Sequence, residues 1–406
     1  MSDIIGQGGE RPPRRKWGGL AVAAVLLLVA GLIAVHLPRH RHAPAAPARP
    51  AATPVPVTTP VPAVTPLPVA GLAAEPDGVT GQTLPVTASM RLPVSGPRPA
   101  WFWPATGRTE PIAGLPPDSA GYEFTGIAGG WAVQGGSAIV RGCAACAGPP
   151  QPVYFLSDRA RSATRIGLAD AVAPGARPGT VWLTSYPPDA DTATAAGTAR
   201  EVSVTGAPIG RQLTLPAGYV IEQATDRGLL LGPAAQRPGP AAYRLWDIAG
   251  SQPGRTFSGV IAAGPAAIAW APVCRTVCQV DVLDLATGRR TTVVLPGASS
   301  AANAAFSPDG AFLAVELSFY TGGNEGSLAA QLDVASVASG RLTVVPGTWV
   351  SSDALVGFGW PGDGDSLVTE LSFTTKVQVA SWQPGAARLA VAAVSPGRVS
   401  DSLIIG

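Results

Sequence analysis

Two stretches decide the fold: FSPDGAFLAVELSFYT at 306–321 and WPGDGDSLVTELSFTT at 360–375. Each leads from an aromatic residue through Asp-Gly into an alternating apolar run that ends Glu-Leu-Ser-Phe. Asp-Gly between apolar runs is a strong hairpin signal, because glycine accepts the positive φ that a tight turn requires. The copies are offset by 54 residues. That spacing is too long for one hairpin and too short for a domain, so each copy is part of a repeated unit.

A second motif recurs outward from this pair: an apolar strand, a turn, and another apolar strand. Its instances are WFWPATGRTEPIAG (101–114), VYFLSDRARSATRIG (153–167), EVSVTGAPIGRQLTLP (201–216), YRLWDIAGSQPGRTFSGV (243–260), VDVLDLATGRRTTVVLPG (280–297), LDVASVASGRLTVVPG (332–347) and VQVASWQPGAARLAVAAV (377–394). Their turns, at Gly107, Asp158, Gly206, Gly250, Gly288, Gly340 and Gly385, are 51, 48, 44, 38, 52 and 45 residues apart. Further strand candidates lie between them, among them 131–134, 180–186, 228–232 and 267–272. Four short strands per repeat, seven times over, predict an all-β, seven-bladed β-propeller over residues 100–406. The strings FSPDG, YRLWDIAG and VDVLDLATG resemble those of WD-repeat and TolB-type propellers. The likeness covers about residues 100 to 394, with recognisable strings in blades 4 to 7; Trp246-Asp247 is the only Trp-Asp pair. The whole layout is similar to that of membrane-anchored extracytoplasmic propeller proteins of actinobacteria.

Blade 1 is short of strands, since 101–114 supplies two. The remainder must come from 79–96 or from the tail SDSLIIG (400–406). The tail is expected to add at least one strand, because closing the ring with both termini hides open sheet edges.

The region before the repeats has a different character. RPPRRK (11–16) precedes an apolar stretch whose core, residues 20–37, contains no Asp, Glu, Lys or Arg. Eighteen helical residues span about 27 Å, close to the hydrocarbon thickness of a bilayer. This reads as a single-pass signal anchor, with a cleaved signal peptide as the alternative. Residues 1–19 would form a short basic cytoplasmic tail, with the bulk of the chain outside the cytoplasmic membrane. Residues 38–99 hold 15 of the 42 Pro, nine of them between 43 and 70. Such a segment favours extended polyproline II and reads as a disordered stalk.

Composition narrows the chemistry. The three His are His36, His40 and His42, so residues 43–406 have none, which removes His-based nucleophilic triads and His-ligated metals there. Charged residues are 13% and the net charge is +2, and neither a phosphate-binding loop nor a basic-aromatic patch appears. No nucleic-acid partner and no cofactor are expected. The four cysteines form two close pairs, Cys143 with Cys146 and Cys274 with Cys278, each before the third strand of its repeat. Two local disulfides suit an oxidising compartment. A shared zinc site would need blades 2 and 5 to meet, and a redox Cys-x-x-Cys would need a helix N-terminus.

Carboxylates remain as the acid–base groups for an enzyme. Glu316 and Glu370 occupy matched positions and are the candidate catalytic pair of a glycosidase-like hydrolase or lyase; the repeat itself also explains the match. Asp189, Asp191, Asp363 and Asp365 lie in turn-forming strings without the run of oxygen ligands of a dedicated calcium site. Trp182, Trp246, Trp270 and Trp360 fall in strands, where they pack between blades; Trp101 and Trp103 share one strand face. The expectation is a non-catalytic, membrane-tethered scaffold that binds an extracytoplasmic protein or glycan. The alternatives are a carboxylate-dependent enzyme on cell-envelope carbohydrate and an envelope sensor coupled to a cytosolic partner.

Overall fold

The structure is a computed structural model. It describes residues 83–394 apart from 97, 118–120, 137–146, 235–241, 249–252, 272–273, 275–276, 299, 321–327, 352–353, 362–363 and 374–376. The expected tail, apolar span and densely Pro-rich stalk therefore lie outside the described residues. Among the described residues no helix is long and apolar enough to cross a membrane.

Seven sheets, antiparallel but for one added edge strand, form the blades of a β-propeller in chain order. β1 (Thr83–Pro85) precedes blade 1, which holds β2 (Leu92–Val94), β3 (Ala100–Trp103) and β4 (Arg108–Pro111). Blade 2 is β5 (Tyr122–Ile127), β6 (Gly130–Gly135), β7 (Gln151–Ser157) and β8 (Thr164–Ala169). Blade 3 is β9 (Ala171–Pro174), β10 (Thr180–Ser185), β11 (Thr198–Ser203) and β12 (Pro208–Thr214). Blade 4 is β13 (Tyr219–Thr225), β14 (Gly228–Pro233), β15 (Ala242–Trp246) and β16 (Pro253–Ser258). Blade 5 is β17 (Val260–Ala263), β18 (Ala267–Trp270), β19 (Cys278–Asp284) and β20 (Arg290–Leu295). Blade 6 is β21 (Ser300–Phe306), β22 (Phe312–Tyr320), β23 (Leu328–Ser336) and β24 (Leu342–Val344), with β25 (Val350–Ser351) also pairing with β23. Blade 7 is β26 (Leu355–Gly359), β27 (Leu367–Ser372), β28 (Val377–Trp382) and β29 (Leu389–Val394).

The Asp-Gly turn at 309–310 lies between the first and second strands of blade 6, and Gly364 holds the matching place in blade 7, Asp363 lying outside the described residues. In blade 6 the Ser307 hydroxyl donates to Asp309 Oδ1 at 2.6 Å, and Gly310 takes φ +69° to turn the chain into β22. The other repeat turns join third to fourth strands. Gly107, Gly288 and Gly340 each donate their backbone N–H to the carbonyl four residues back, at 2.8–2.9 Å.

Alternation along each strand feeds two faces, and both faces of a blade are covered by its neighbours. This is why central strands such as β14 read Leu229-Leu230-Leu231 without a polar break: Leu229 and Leu231 join the core between blades 3 and 4, and Leu230 the core between blades 4 and 5. Apolar clusters fill every gap of the ring. Trp101 and Ile112 meet Trp131 and Leu156 between blades 1 and 2, and Leu92 and Phe102 meet Val368 and Val379 between blades 7 and 1. At about 25 cal/mol per Å² of apolar area, these gaps dominate the favourable energy of folding.

The linker boundary drawn from composition at 99 moves. Strand structure begins at Thr83, within the stretch assigned to the stalk, because the dense prolines stop well before it. β1 pairs in parallel with β29 as a fifth strand on the outer edge of blade 7, and β2 belongs to blade 1. Of the two sources considered for blade 1, residues 79–96 thus supply one strand; the tail 400–406 lies outside the described residues.

Candidate functional site

The turns between the first and second strands of blades 2 to 7 converge around the propeller axis and enclose a cavity of about 510 Å³. Its walls are mostly backbone, glycine, alanine and proline. The aromatic side chains are Trp131, Phe306 and Trp360, and the charged ones are Arg177 and Asp226. Prolines at 174, 178, 265, 308 and 361 stiffen four of these turns by fixing φ.

Hydrogen bonds lock the rim. The Asp226 N–H donates to Pro265 O at 2.8 Å, joining the turns of blades 4 and 5. Next to it, Arg227 sends Nε to Leu285 O at 2.9 Å and Nη2 to Ala286 O at 2.8 Å. Arg91 does the same between blades 1 and 2, with Asp158 O and Ala160 O as acceptors, and stacks over the Trp101 ring at 4.1 Å. Within the cavity Gln223 Nε2 donates to Ala224 O at 2.8 Å, and Trp360 Nε1 to Ala305 O at 3.1 Å. Arg177 is tied to Glu201 at 3.0 Å. The Asp309 carboxyl is held below the usual carboxylate range, first by the Ser307 hydroxyl and then by the Ala311 N–H. The mouth is thus a rigid, mainly uncharged concavity.

Glu316 and Glu370 share register but not a site. Ala314, two residues before Glu316 on β22, packs in the core between blades 6 and 7; Val368, two before Glu370 on β27, packs in the core between blades 7 and 1. Since side chains alternate along a strand, each carboxylate faces the same gap as that neighbour. The two therefore face different gaps, with the blade 7 sheet between them, and packed sheets lie about 10 Å apart. Glu316 is half-buried and accepts from Asn303 Nδ2 at 2.7 Å, whereas Glu370 is buried.

Cys274 and Cys278 are joined by a disulfide with Cα atoms 4.5 Å apart, in the loop entering β19. Cys143 and Cys146 lie outside the described residues, as does Asp363. Among the described residues no group of three His, Cys, Asp or Glu is placed to hold a metal. Asp191 serves its turn, with Oδ1 accepting from Ala193 N and Oδ2 from Thr194 Oγ1. Trp182, Trp246, Trp270 and Trp360 all pack in interblade cores, and Trp101 is fully buried with Trp103 packed beside its cluster.

Sequence reading missed three groups. The arginine staples follow no motif, because their acceptors are backbone carbonyls of the next blade. Asp333 on β23 is buried, with Gln331 Nε2 donating at 2.6 Å, and burial pushes its carboxyl up to about 6. Tyr186 donates to Tyr219 O at 3.0 Å, and burial, followed by the charges of Asp170 and Glu222, pushes its hydroxyl up to about 12. Burial also raises Asp170 and Glu222, and Glu222 lies over Gly232.

No protein-family model matches the chain, and no curated protein matches it in sequence. Solved structures align with part of the chain at low identity. Hydrazine synthase of Kuenenia stuttgartiensis is 14% identical over 62% of this chain and 79% of that one, with a TM-score of 0.38. A prolyl endopeptidase is 12% identical, with a TM-score of 0.48; the alignment takes in 79% of this chain and half of that one. A variant of the Synechocystis apocarotenoid oxygenase is 11% identical over 78% of this chain and 92% of that one, with a TM-score of 0.44. The propeller assignment rests on the seven sheets themselves.

Proposed function

We propose that the chain is a membrane-tethered propeller that displays a binding platform for an extracytoplasmic protein or glycan. The observation that carries this reading is the axial mouth, a concavity of about 510 Å³ built from rigid turns and backbone polar groups, with two charged side chains in its lining. Concave sites of this size, with a few placed polar groups, suit recognition. The apolar segment 20–37 supports a single-pass anchor with the N-terminus inside, and the Pro-rich stretch after it supports a spacer that sets reach.

The test is binding by the full-length chain in detergent, against immobilised cell-envelope glycans and extracytoplasmic proteins. Ala128→Arg places bulk and charge at the exposed lip of the mouth. It is expected to weaken a retained ligand at least tenfold, while Glu316→Gln leaves binding unchanged. Binding indifferent to Ala128→Arg overturns the platform reading. Turnover of envelope glycan that is lost in Glu316→Gln or Glu370→Gln replaces it with the carboxylate enzyme.

A further inference from the structure

Where the last strand of blade 4 faces blade 5, two arginines and two aromatic rings come together from four strands. Trp270 on β18, Asp281 on β19 and Thr292 on β20 are direct cross-strand neighbours, so all three lie on the face of blade 5 that meets blade 4. Arg290 lies opposite Leu283 on that same face. Arg255 and Phe257, two residues apart on β16, meet them from blade 4. Phe257 is buried, and its ring centre is 5.3 Å from that of Trp270. The guanidinium carbons of Arg255 and Arg290 each lie 5.5 Å from the centre of the Trp270 ring. Among the described residues Trp270 is the one ring that carries two guanidiniums.

Two like charges beside one ring repel each other, and the protein supplies an anion for only one of them. Asp281 is fully buried; its Oδ2 accepts from Arg290 Nη2, and its Oδ1 accepts from Thr292 Oγ1 at 2.7 Å. Both of its oxygens are therefore engaged on the blade 5 side. Arg255 is exposed and has no hydrogen bond or ion pair among the described residues. Arg290 is exposed too and keeps Nε and Nη1 for a further acceptor. Arginines on other rings are already occupied: Arg91 binds backbone carbonyls, and Arg108 pairs with Glu110. We infer that Arg255 and Arg290, set on the Trp270 ring, form a binding site for a phosphate group. Its residues are absent from the lining of the axial mouth, and the inference is independent of what the mouth binds. A tetrahedral phosphate has enough oxygens to accept from both guanidinium forks at once, whereas one fork fills the two oxygens of a carboxylate. The Phe257 and Trp270 rings cover one side of the guanidiniums and keep water from it, which strengthens charge-assisted bonds on the other. No run of sequence announces the site, because four strands of two blades supply its members.

The experiment is isothermal titration of the full-length chain in detergent, at constant ionic strength, with inorganic tripolyphosphate as the probe. Saturable binding is expected, weakened at least tenfold by Arg255→Gln. Arg255 has no partner among the described residues to lose, so this variant keeps the fold, which its thermal midpoint checks. Arg255→Lys is expected to recover only part of the affinity, because an ammonium lacks the planar fork. Arg290→Gln is made together with Asp281→Asn, which leaves no buried carboxylate unpaired, and is expected to show a loss of the same size. Arg108→Gln on blade 1 leaves binding unchanged. No saturable binding, equal binding by Arg255→Gln, or acetate bound as tightly as inorganic phosphate overturns the inference. A second arm adds the soluble phospholipid dihexanoyl phosphatidylglycerol to the wild-type complex. Displacement of tripolyphosphate assigns the phosphate to a lipid headgroup, and its retention assigns a soluble or polymeric phosphate; either result supports the site.

Discussion

Asp333 shows what one buried charge does to a propeller. Its carboxyl sits on β23 opposite Val315, at a position 2% exposed, and titrates at about 6 instead of 3.8. In the folded state it therefore holds its proton to higher pH than in the unfolded chain. Its contribution to stability is most favourable below pH 4, falls as pH rises toward 6, and is constant above that. The difference between the two states corresponds to about 3 kcal/mol. Asp333→Asn is expected to remove that slope and to stabilise the protein at pH 7 by up to about that amount. Denaturant midpoints of both proteins between pH 4 and pH 8 check this. Gly228 is a residue of another kind, with φ +137° and the position of an added Cβ 2.2 Å from Trp246 O. Gly228→Ala is expected to cost about 1–3 kcal/mol through backbone strain, measured by the same denaturant titration.

At the scale of the element, a blade is stable only because both of its faces are covered. Leu230 is fully buried in the core between blades 4 and 5, with Ile268 and Leu283 as neighbours. Leu230→Ala is expected to cost about 2–5 kcal/mol, read as a shifted denaturant midpoint. The arginine staples act between elements. Arg227 holds the third-to-fourth-strand turn of blade 5 through two charge-assisted bonds to carbonyls. Arg227→Met keeps much of the stem and removes both bonds. It is expected to cost about 1.5–3 kcal/mol, with faster amide exchange confined to the neighbouring turns. A lysine at this position has no planar fork and is expected to recover only part of the loss.

For the molecule as a whole, the decisive place is the seam between blades 7 and 1, the one gap whose blades are not consecutive in the chain. There Leu92 and Phe102 pack against Val368 and Val379, and β1 extends blade 7 from the opposite end of the sequence. Every other gap is closed by segments near in sequence, so the seam carries the largest loop-closure cost. Leu92→Asp buries an unpaired carboxylate in that seam. It is expected to lower the thermal midpoint by more than any single staple removal while leaving the far-ultraviolet strand signal at low temperature intact.

The sequence alone determined the repeat, the number of blades and the positions of their turns. These depend on local periodicity and on glycine at positive φ, as at Gly107, Gly206, Gly288, Gly340 and Gly385, properties carried by a few adjacent residues. It also placed the tryptophans between blades, because alternation fixes a face. It did not reveal which gaps Glu316 and Glu370 enter, since that depends on which face of each strand meets the following blade. Nor did it reveal the turns that converge on the axial mouth, the arginine staples, or the parallel pairing of Thr83–Pro85 with a strand some three hundred residues away. Those features exist only once the ring closes, because their partners are backbone groups and sheet faces that distant parts of the chain bring together.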